Sequence, residues 1–167
     1  MQRQHTLFLL KFFAILVVSY LFIAWNPIND HLIVPFTQAL TRSAATILNW
    51  MGQKVMVTDT IISSSRFAVN INNGCNGVEA MLILLASMAA FPAPIRSRVS
   101  GILLGALVVQ LLNEVRIVSL YLLGAYHPRV FQLFHTAVWQ IAIILVAVLF
   151  FLFWSSRLAP NRLANRA

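Results

Sequence analysis

The sequence predicts an all-α integral membrane protein with about four transmembrane helices. Of its 167 residues, 60% are apolar and 10% are charged, whereas a soluble domain usually carries about 25% charged residues. The apolar residues are gathered in long runs of the length that a bilayer-spanning helix requires. Length and composition together predict a single membrane domain over residues 1–167, with no second domain.

Four apolar runs are the candidates for these helices, because a span needs about 20 residues. The expected spans are 7–25, 76–92, 99–124 and 136–155. The first run resembles a signal peptide. It is longer than the usual apolar core of about 7–15 residues, and no small-residue cleavage site follows it, so we interpret it as a retained helix.

The end of the second expected span is marked by two prolines. Pro92 and Pro94 stop a helix because proline cannot continue the backbone hydrogen-bond ladder. A short basic turn follows, and such turns join antiparallel neighbours. The second and third spans are therefore expected to form a hairpin.

The segment 26–74, between the first two spans, has a different pattern. Residues 31–51 place apolar side chains such as Leu32 and Met51 on one side at helical spacing, with Thr41 elsewhere. This predicts an amphipathic helix at the membrane interface or against the bundle. Residues 54–71 alternate and are rich in Val, Ile and Thr, which predicts a small β-hairpin with its turn at 63–65.

The formal charge is +8, from twelve Lys and Arg against four Asp and Glu. The basic residues lie mostly at the ends of apolar runs, where they set topology and contact anionic lipid. Membrane lipid is therefore an expected partner, and nucleic acid is not. The distribution predicts both termini inside and segment 26–74 and loop 125–135 outside, with these arginines on the inner side: Arg3, Arg96, Arg98, Arg157, Arg162 and Arg166.

Three unusual side chains come from separate predicted helices toward the outer face. Cys75, the only cysteine, begins the second span, and His135 begins the fourth. Arg116 lies eight residues before the outer end of the third span, a gap of about 12 Å that a long side chain would partly close. A lone cysteine is usually a small apolar residue in the core. The convergence of these three side chains instead favours a reactive cysteine.

These three side chains are the set that acyl transfer by a thiol requires. The attacking thiolate is favoured by a helix N-terminus and by a nearby imidazolium. Histidine can protonate the leaving amine, and arginine can donate parallel hydrogen bonds to an oxyanion or to substrate backbone. The resulting thioester is resolved by a second nucleophile.

Further polar residues surround this set. The run 72–79, Asn-Asn-Gly-Cys-Asn-Gly-Val-Glu, includes Gly77 and favours a tight turn with exposed amides before a helix. Glu79 shares a helical face with Cys75, and Asn113 shares one with Arg116. The alternative left open is that Glu79 and Glu114 are structural ion-pair partners of Arg116. No Cys/His cluster or cofactor motif is present, so neither a metal nor a cofactor is expected.

These motifs resemble the exosortase/archaeosortase family over roughly residues 30–155. The matching residues are Asn-Gly-Cys-Asn-Gly-Val-Glu-Ala at 73–80, Leu-Leu-Asn-Glu-Val-Arg-Ile at 111–117, and His135. The short length, the segment 26–71 and the turn 91–94 look most like the exosortase H branch. The resemblance implies the following assignments: Cys75 as nucleophile, Arg116 and His135 as the family arginine and histidine, and Asn113 as the asparagine of the family's Asn-x-x-Arg pattern. Glu114 departs from the family, where an apolar residue is expected.

The resemblance also implies a function and a location. It implies a cysteine peptidase or transpeptidase in the bacterial inner membrane, with its active site facing the periplasm. Its substrates would carry a C-terminal sorting signal made of a short motif, one transmembrane helix and a basic tail. The exosortase H branch implies a motif of the Ile-Pro-Thr-Leu…Trp-Gly type. One alternative is a non-catalytic transport or assembly subunit, which would not explain the convergence of Cys75, Arg116 and His135. Another is a plain hydrolase, which differs from a transpeptidase only in the second nucleophile.

Overall fold

The computed structural model describes residues 2–158, and most of them are helical. Two π-helical turns, Asn29–Ile33 and Phe134–Val138, are each continuous with the helices on both sides. Arg162 and Arg166, which count toward the expected inner side, lie outside the described residues. The elements in chain order are α1 (Gln2–Ala24), α2 (Asn26–Ile28), α3 (Val34–Trp50), β1 (Met56–Thr58), β2 (Ile61–Ser63), β3 (Ala68–Asn70), α4 (Val78–Ala90), α5 (Ile95–Tyr126), α6 (Pro128–Leu133) and α7 (Trp139–Leu158).

Three helical stretches of the described chain are long and apolar enough to cross a membrane. They are Arg3–Ala24, Ile95–Tyr126 and Pro128–Leu158. The second expected span, 76–92, is instead the 13-residue helix α4, about 20 Å long and so shorter than a hydrocarbon core of about 30 Å. Because α4 packs against α1, α5 and α7, neighbouring helices cover much of it.

The turn between α4 and α5 lies at one end of the bundle, called here the inner end after the expected topology. Phe91 leaves α4 in an extended conformation, and Pro94 caps the start of α5. Arg98 fastens the turn, since its Nη2 donates to the carbonyls of Phe91 and Ala93 at 3.2 and 3.1 Å. This is the hairpin that the two prolines predict. The core beside it, called here the inner cluster, joins α4, α5 and α7 and consists of Leu84, Met88, Val109, Ile143, Ala147 and Trp154.

At the other end of the bundle, α3 and the strands pack against the outer part of α5. The strands form an antiparallel sheet in the order β1-β2-β3, with Ile62 of the central strand opposite both Val57 and Val69. Ile62 is fully buried. The core here, called the outer cluster, consists of Ala44, Ala45, Leu48, Val55, Ile62, Ile71, Ile117 and Tyr121.

The sheet has one strand more than the sequence pattern predicts. Ser63 ends β2, so only the remainder of the expected turn at 63–65 is a turn. The additional reversal falls at Asp59 and Thr60, where Asp59 adopts a left-handed φ of 60°. Asp is one of the few residues besides glycine that adopt this conformation readily. An Asp alone is nevertheless a weak sequence signal for a turn, so the pattern does not predict this reversal.

The buried face of the predicted amphipathic helix is only partly the expected one, since Ala44 and Leu48 are buried as predicted. Thr37 and Thr41 are buried, whereas Leu32 and Met51 are 56% and 51% exposed. Each threonine hydroxyl donates to the carbonyl four residues earlier, Ile33 and Thr37 respectively, at 2.8 Å. Because the helix itself satisfies these hydroxyls, both threonines can be buried without an unpaired polar group.

Candidate active site

Cys75 lies in the loop of residues 71–77 between β3 and α4, called here the thiol loop. Its amide donates to the carbonyl of Asn72 at 2.9 Å, which closes a tight turn. Gly74 and Gly77 both have left-handed backbones, with φ of 86° and 76°. A Cβ on Gly77 would also press on the side chain of Asn113, so glycine is required there by conformation and by space.

The structure brings Cys75, His135 and Arg116 together from three separate segments. The Cys75 Sγ lies 3.3 Å from the His135 Nε2. The Arg116 Nη2 lies 3.9 Å from the same sulfur, and its Nη1 donates to the Gly74 carbonyl at 3.3 Å. The expected convergence of the three side chains is therefore present in the geometry.

The sequence pattern predicts that His135 begins a helix, but in the structure it does not. It lies within the continuous helical stretch Pro128–Leu158, inside the π turn Phe134–Val138. One helical turn earlier, Phe131 stacks on the imidazole with ring centroids 5.6 Å apart and planes 6° apart. The stack fixes the plane of the imidazole, and π turns of this kind occur frequently at functional sites.

Arg116 reaches the thiol in a different way from the one expected. It lies ten residues before Tyr126, the last residue of α5, or about 15 Å inward of the outer end of the helix. The thiol loop extends into the bundle to the level of Arg116, since Gly77 lies against Asn113 in the middle of α5. Arg116 is 3% exposed, so its side chain reaches the sulfur from within the bundle rather than by extending to its surface.

The carboxylates of Glu79 and Glu114 differ in their hydrogen bonding. Glu79 accepts a hydrogen bond from the Gly74 amide at 2.8 Å, so Glu79 and Arg116 hold the two sides of Gly74. The Glu114 Oε1 is buried and has no hydrogen-bond partner within residues 2–158. Within residues 2–158, neither glutamate forms the direct ion pair with Arg116 that the alternative interpretation requires.

Comparison with known proteins identifies the family. The model of the transmembrane exosortase family (Exosortase_EpsH) matches residues 3–154. The chain belongs to this family. No curated protein and no solved structure matches it. The matched range includes all three converging side chains, so the exosortase domain contains the whole candidate site, and family membership suggests a peptidase or transpeptidase.

The candidate site contains residues that the sequence pattern does not single out. Asn76 is fully buried, and its Nδ2 donates to Thr37 Oγ1 at 3.0 Å and to Asn73 Oδ1 at 3.2 Å. Its Oδ1 accepts from the Val78 amide at 3.1 Å, at the start of α4. Asn73 in turn donates to Asn29 Oδ1 at 3.0 Å, in the first π turn. The run of asparagines around Cys75 is the only sequence signal for this network.

Asn113 is placed beside the thiol loop but makes no polar contact there. Its side chain is fully buried, and within residues 2–158 neither its Oδ1 nor its Nδ2 has a hydrogen-bond partner. It contributes the surface on which Gly77 rests. The structure thus connects Asn113 to the exosortase site through packing.

A cavity of about 240 Å³ opens next to the thiol loop, between α1, α4, α5 and α7. Its polar walls are formed by Tyr20, Glu79, Arg116 and Gln140. In the described part of this exosortase chain, no group of three His, Cys, Asp or Glu side chains is arranged to hold a metal ion. The charged side chains that line the cavity are the Glu79 carboxylate and the Arg116 guanidinium.

Proposed function

We propose that the chain is a membrane cysteine peptidase or transpeptidase that cleaves C-terminal sorting signals through a thioester. The observation that carries the proposal is the position of the Cys75 sulfur, 3.3 Å from the His135 Nε2 and 3.9 Å from the Arg116 guanidinium. We further propose that the chain belongs to the exosortase H branch, whose signals are of the Ile-Pro-Thr-Leu…Trp-Gly type. No cofactor takes part in the proposed reaction.

The first half of the reaction uses Cys75 and His135. The His135 Nε2 accepts the thiol proton, and the sulfur attacks the scissile carbonyl carbon. His135 then gives this proton to the leaving nitrogen, the C–N bond breaks, and an acyl thioester on Cys75 remains. In the second half, water or an acceptor amine attacks the thioester, the C–S bond breaks, and the proton returns to sulfur through His135.

Arg116 is proposed to bind the oxyanion or the neighbouring substrate backbone. Its Nη1 is anchored on the Gly74 carbonyl, and its Nη2 points at the sulfur. Its Nε is buried and has no hydrogen-bond partner within residues 2–158. A buried guanidinium with an unused donor beside a nucleophile suits an acceptor oxygen that arrives with the substrate.

The proposed location is the bacterial inner membrane, with the site facing the periplasm and both termini inside. Arg96 and Arg98 lie at the α4–α5 turn, and Arg157 lies near the end of α7. These arginines are at the opposite ends of their helices from the thiol loop. The positive-inside rule therefore favours a cytoplasmic turn and a position of Cys75 on the outer side.

Co-expression with a reporter substrate tests the proposed function. The reporter is a periplasmic domain fused to an Ile-Pro-Thr-Leu-type motif, an apolar helix and a basic tail. The wild type should shorten it, whereas Cys75→Ala and His135→Ala should leave it at full length. The matched control is His127→Ala, because this histidine belongs to the neighbouring loop and makes no contact with the sulfur. If Cys75→Ala processes the reporter as the wild type does, the chain is the non-catalytic subunit of the alternative interpretation.

Mass spectrometry of the processed reporter separates hydrolysis from transpeptidation. Hydrolysis leaves a free carboxylate at the new C-terminus, whereas transpeptidation leaves an amide carrying the mass of the acceptor amine. Added hydroxylamine should intercept the thioester and yield a hydroxamate in either case. Absence of the hydroxamate from a fully processed reporter would argue against a thioester.

A further inference from the structure

The cavity beside the thiol loop continues as a groove along the bundle. A narrow slot of about 70 Å³ lies next to it, and both are lined by Ala80, Ile83 and Ile144. The slot extends the lining to Ser87 on α4 and to Val148 on α7. Because α4 and α7 both run inward from the thiol loop, cavity and slot form one continuous groove, called here the α4–α7 groove.

The outer end of this groove carries polar groups without partners. Tyr20 is 39% exposed, Gln140 is exposed, and both lie on helices long enough to span a membrane. Within residues 2–158 neither side chain forms a hydrogen bond, and the buried Arg116 Nε at the same cavity also has no partner. Polar groups that face hydrocarbon unpaired are costly, so a ligand with its own polar groups fits this position.

The start of a transmembrane helix has the complementary chemistry. Its first four amides have no partner within the helix, and in a bilayer each unsatisfied amide costs several kcal/mol. The Gln140 amide oxygen, the Tyr20 hydroxyl and the Glu79 carboxylate are acceptors for such amides. Farther inward, the groove is apolar and contains Ala80 and Ala147, small residues that let helix backbones approach closely.

We propose, on the basis of the function proposed above, that the α4–α7 groove binds the membrane helix of the substrate, with Gln140 and Tyr20 bound to peptide groups of its first turn. The groove leads inward from Cys75, and in a C-terminal signal the helix follows the motif. The leaving-group side of the scissile bond therefore occupies the groove, while the acyl side stays outside. After cleavage, the new amino group of the leaving helix lies beside Glu79.

Disulfide trapping in membranes tests the placement of the helix. Since Cys75 is the only cysteine, Cys75→Ala provides a cysteine-free background. In it, Val148→Cys places a thiol in the groove, and the control Val115→Cys places one on the exposed face of α5; the two valines are 45% and 56% exposed. Under mild oxidation, reporters with single cysteines in the second and third helical turns should form disulfides at position 148, with at least about tenfold lower yield at position 115.

The processing rate tests the polar contacts independently. Gln140→Leu should slow processing of the reporter by about fivefold to tenfold, the effect of one lost hydrogen bond of ordinary strength. The control is Gln132→Leu, an exposed glutamine on α6, which should process at the wild-type rate. A soluble peptide with the motif but no helix should be cut equally by the wild type and by Gln140→Leu.

The outcomes separate the two proposals. Equal disulfide yields at positions 148 and 115, with processing that still depends on Cys75, overturn the groove proposal and leave the peptidase standing. Wild-type processing by Gln140→Leu overturns the role of that side chain. Processing of the reporter by Cys75→Ala overturns the proposed function itself.

Discussion

The outer and inner clusters stabilise the two ends of the bundle by different means. In the outer cluster, side-chain hydrogen bonds accompany the packing: Tyr121 donates to Ser64 Oγ at 2.6 Å, and Asn49 accepts from the Val55 amide at 2.7 Å. The inner cluster depends mainly on close approach, with Gly105 against Leu84 and Phe150, and Trp154 adds a hydrogen bond to the Ser97 carbonyl.

The thiol loop lies between these clusters but is fastened mainly to the outer half. Asn76 bonds Thr37 of α3, and Asn73 bonds Asn29 of the first π turn. The imidazole is stacked on Phe131, which in turn contacts Phe67 of the outer segment. The comparison teaches that changes in the outer-half contacts that hold the thiol loop or the imidazole should displace the candidate catalytic groups, whereas equal changes in the inner half should alter stability alone.

The largest effect is expected for Arg116→Lys, which tests the site between the clusters. Lysine keeps the charge but loses the planar pair of donors that contact Gly74 and the sulfur. Processing should fall about a hundredfold, the loss expected for about two hydrogen bonds to a charged group. In the inner turn, Arg98 makes both of its bonds through Nη2 alone, so Arg98→Lys should process within about twofold of the wild type by the same assay. Near-wild-type processing by Arg116→Lys would show that Arg116 acts only through its positive charge.

The next largest effect is expected for Asn76→Ala, which releases the thiol loop from α3. It removes hydrogen bonds to Thr37, Asn73 and Val78 and should lower the free energy of unfolding by about 2–3 kcal/mol. The processing rate per folded molecule should also fall about tenfold, because the thiol is no longer held against His135.

The inner counterpart is Trp154→Phe, which removes the bond from Trp154 Nε1 to the Ser97 carbonyl at 3.1 Å. It should destabilise the protein by about 1–2 kcal/mol without changing the rate per folded molecule. Denaturation in detergent and single-turnover processing measure the two quantities separately. If both variants slow the reaction equally, the distinction between the clusters fails.

Two glycines, one near each cluster, allow the two clusters to be compared by substitutions that should lower stability by similar amounts. A Cβ at Gly124 would collide with the Phe67 ring, and one at Gly101 would collide with Trp154 and Met88. Gly124→Ala and Gly101→Ala should each destabilise by about 1–3 kcal/mol. Only Gly124→Ala should also slow processing, since Phe67 contacts Phe131 beneath the imidazole. An unchanged rate in Gly124→Ala would show that the aromatic contact does not orient His135.

The smallest effect is expected for Tyr121→Phe, a change confined to the outer cluster. It removes the hydrogen bond to Ser64, whose Oγ also accepts from the amides of Arg66 and Phe67 in the β2–β3 turn. A loss of about 1 kcal/mol in the free energy of unfolding is expected. The processing rate should stay within about twofold, because the turn keeps its own bonds. A larger kinetic effect would mean that the sheet itself positions the thiol loop.

The sequence predicts those features that depend on local pattern. Long apolar runs identify the helices, two prolines identify the inner turn, and the glycines around Cys75 identify a tight loop before a helix. The convergence of Cys75, Arg116 and His135 is also predictable, because the apolar pattern brings all three toward the same face. The pattern does not predict how far Arg116 lies from the end of α5 or that His135 lies inside a continuous helix. The short length of α4 is not predictable from the sequence. An apolar helix this short is stable because neighbouring helices cover it, whereas lipid alone would require a longer one.

Features that depend on distant contacts escape sequence reasoning. The depth of the thiol loop depends on Gly77 meeting Asn113, a contact between residues far apart in the chain. The roles of Gln140 and Tyr20 depend on two helices from opposite ends of the sequence meeting at one cavity. Thr37 and Thr41 follow the amphipathic period of α3, but their polarity assigns them to the wrong face unless their backbone hydrogen bonds are considered.

The π turn at His135 has a consequence for how this site tolerates insertions and deletions. A π turn accommodates one residue more than an α-helical turn, so loss of any single residue from 136–138 would let the helix close as a regular α-helix. The segment before the lesion would then rotate by about 100° relative to α7. Phe131 and the imidazole would turn away from the sulfur together, while α7 kept its contacts with α4 and α5. The length of this turn thus determines whether the imidazole faces the sulfur, even when every chemically reactive residue is retained.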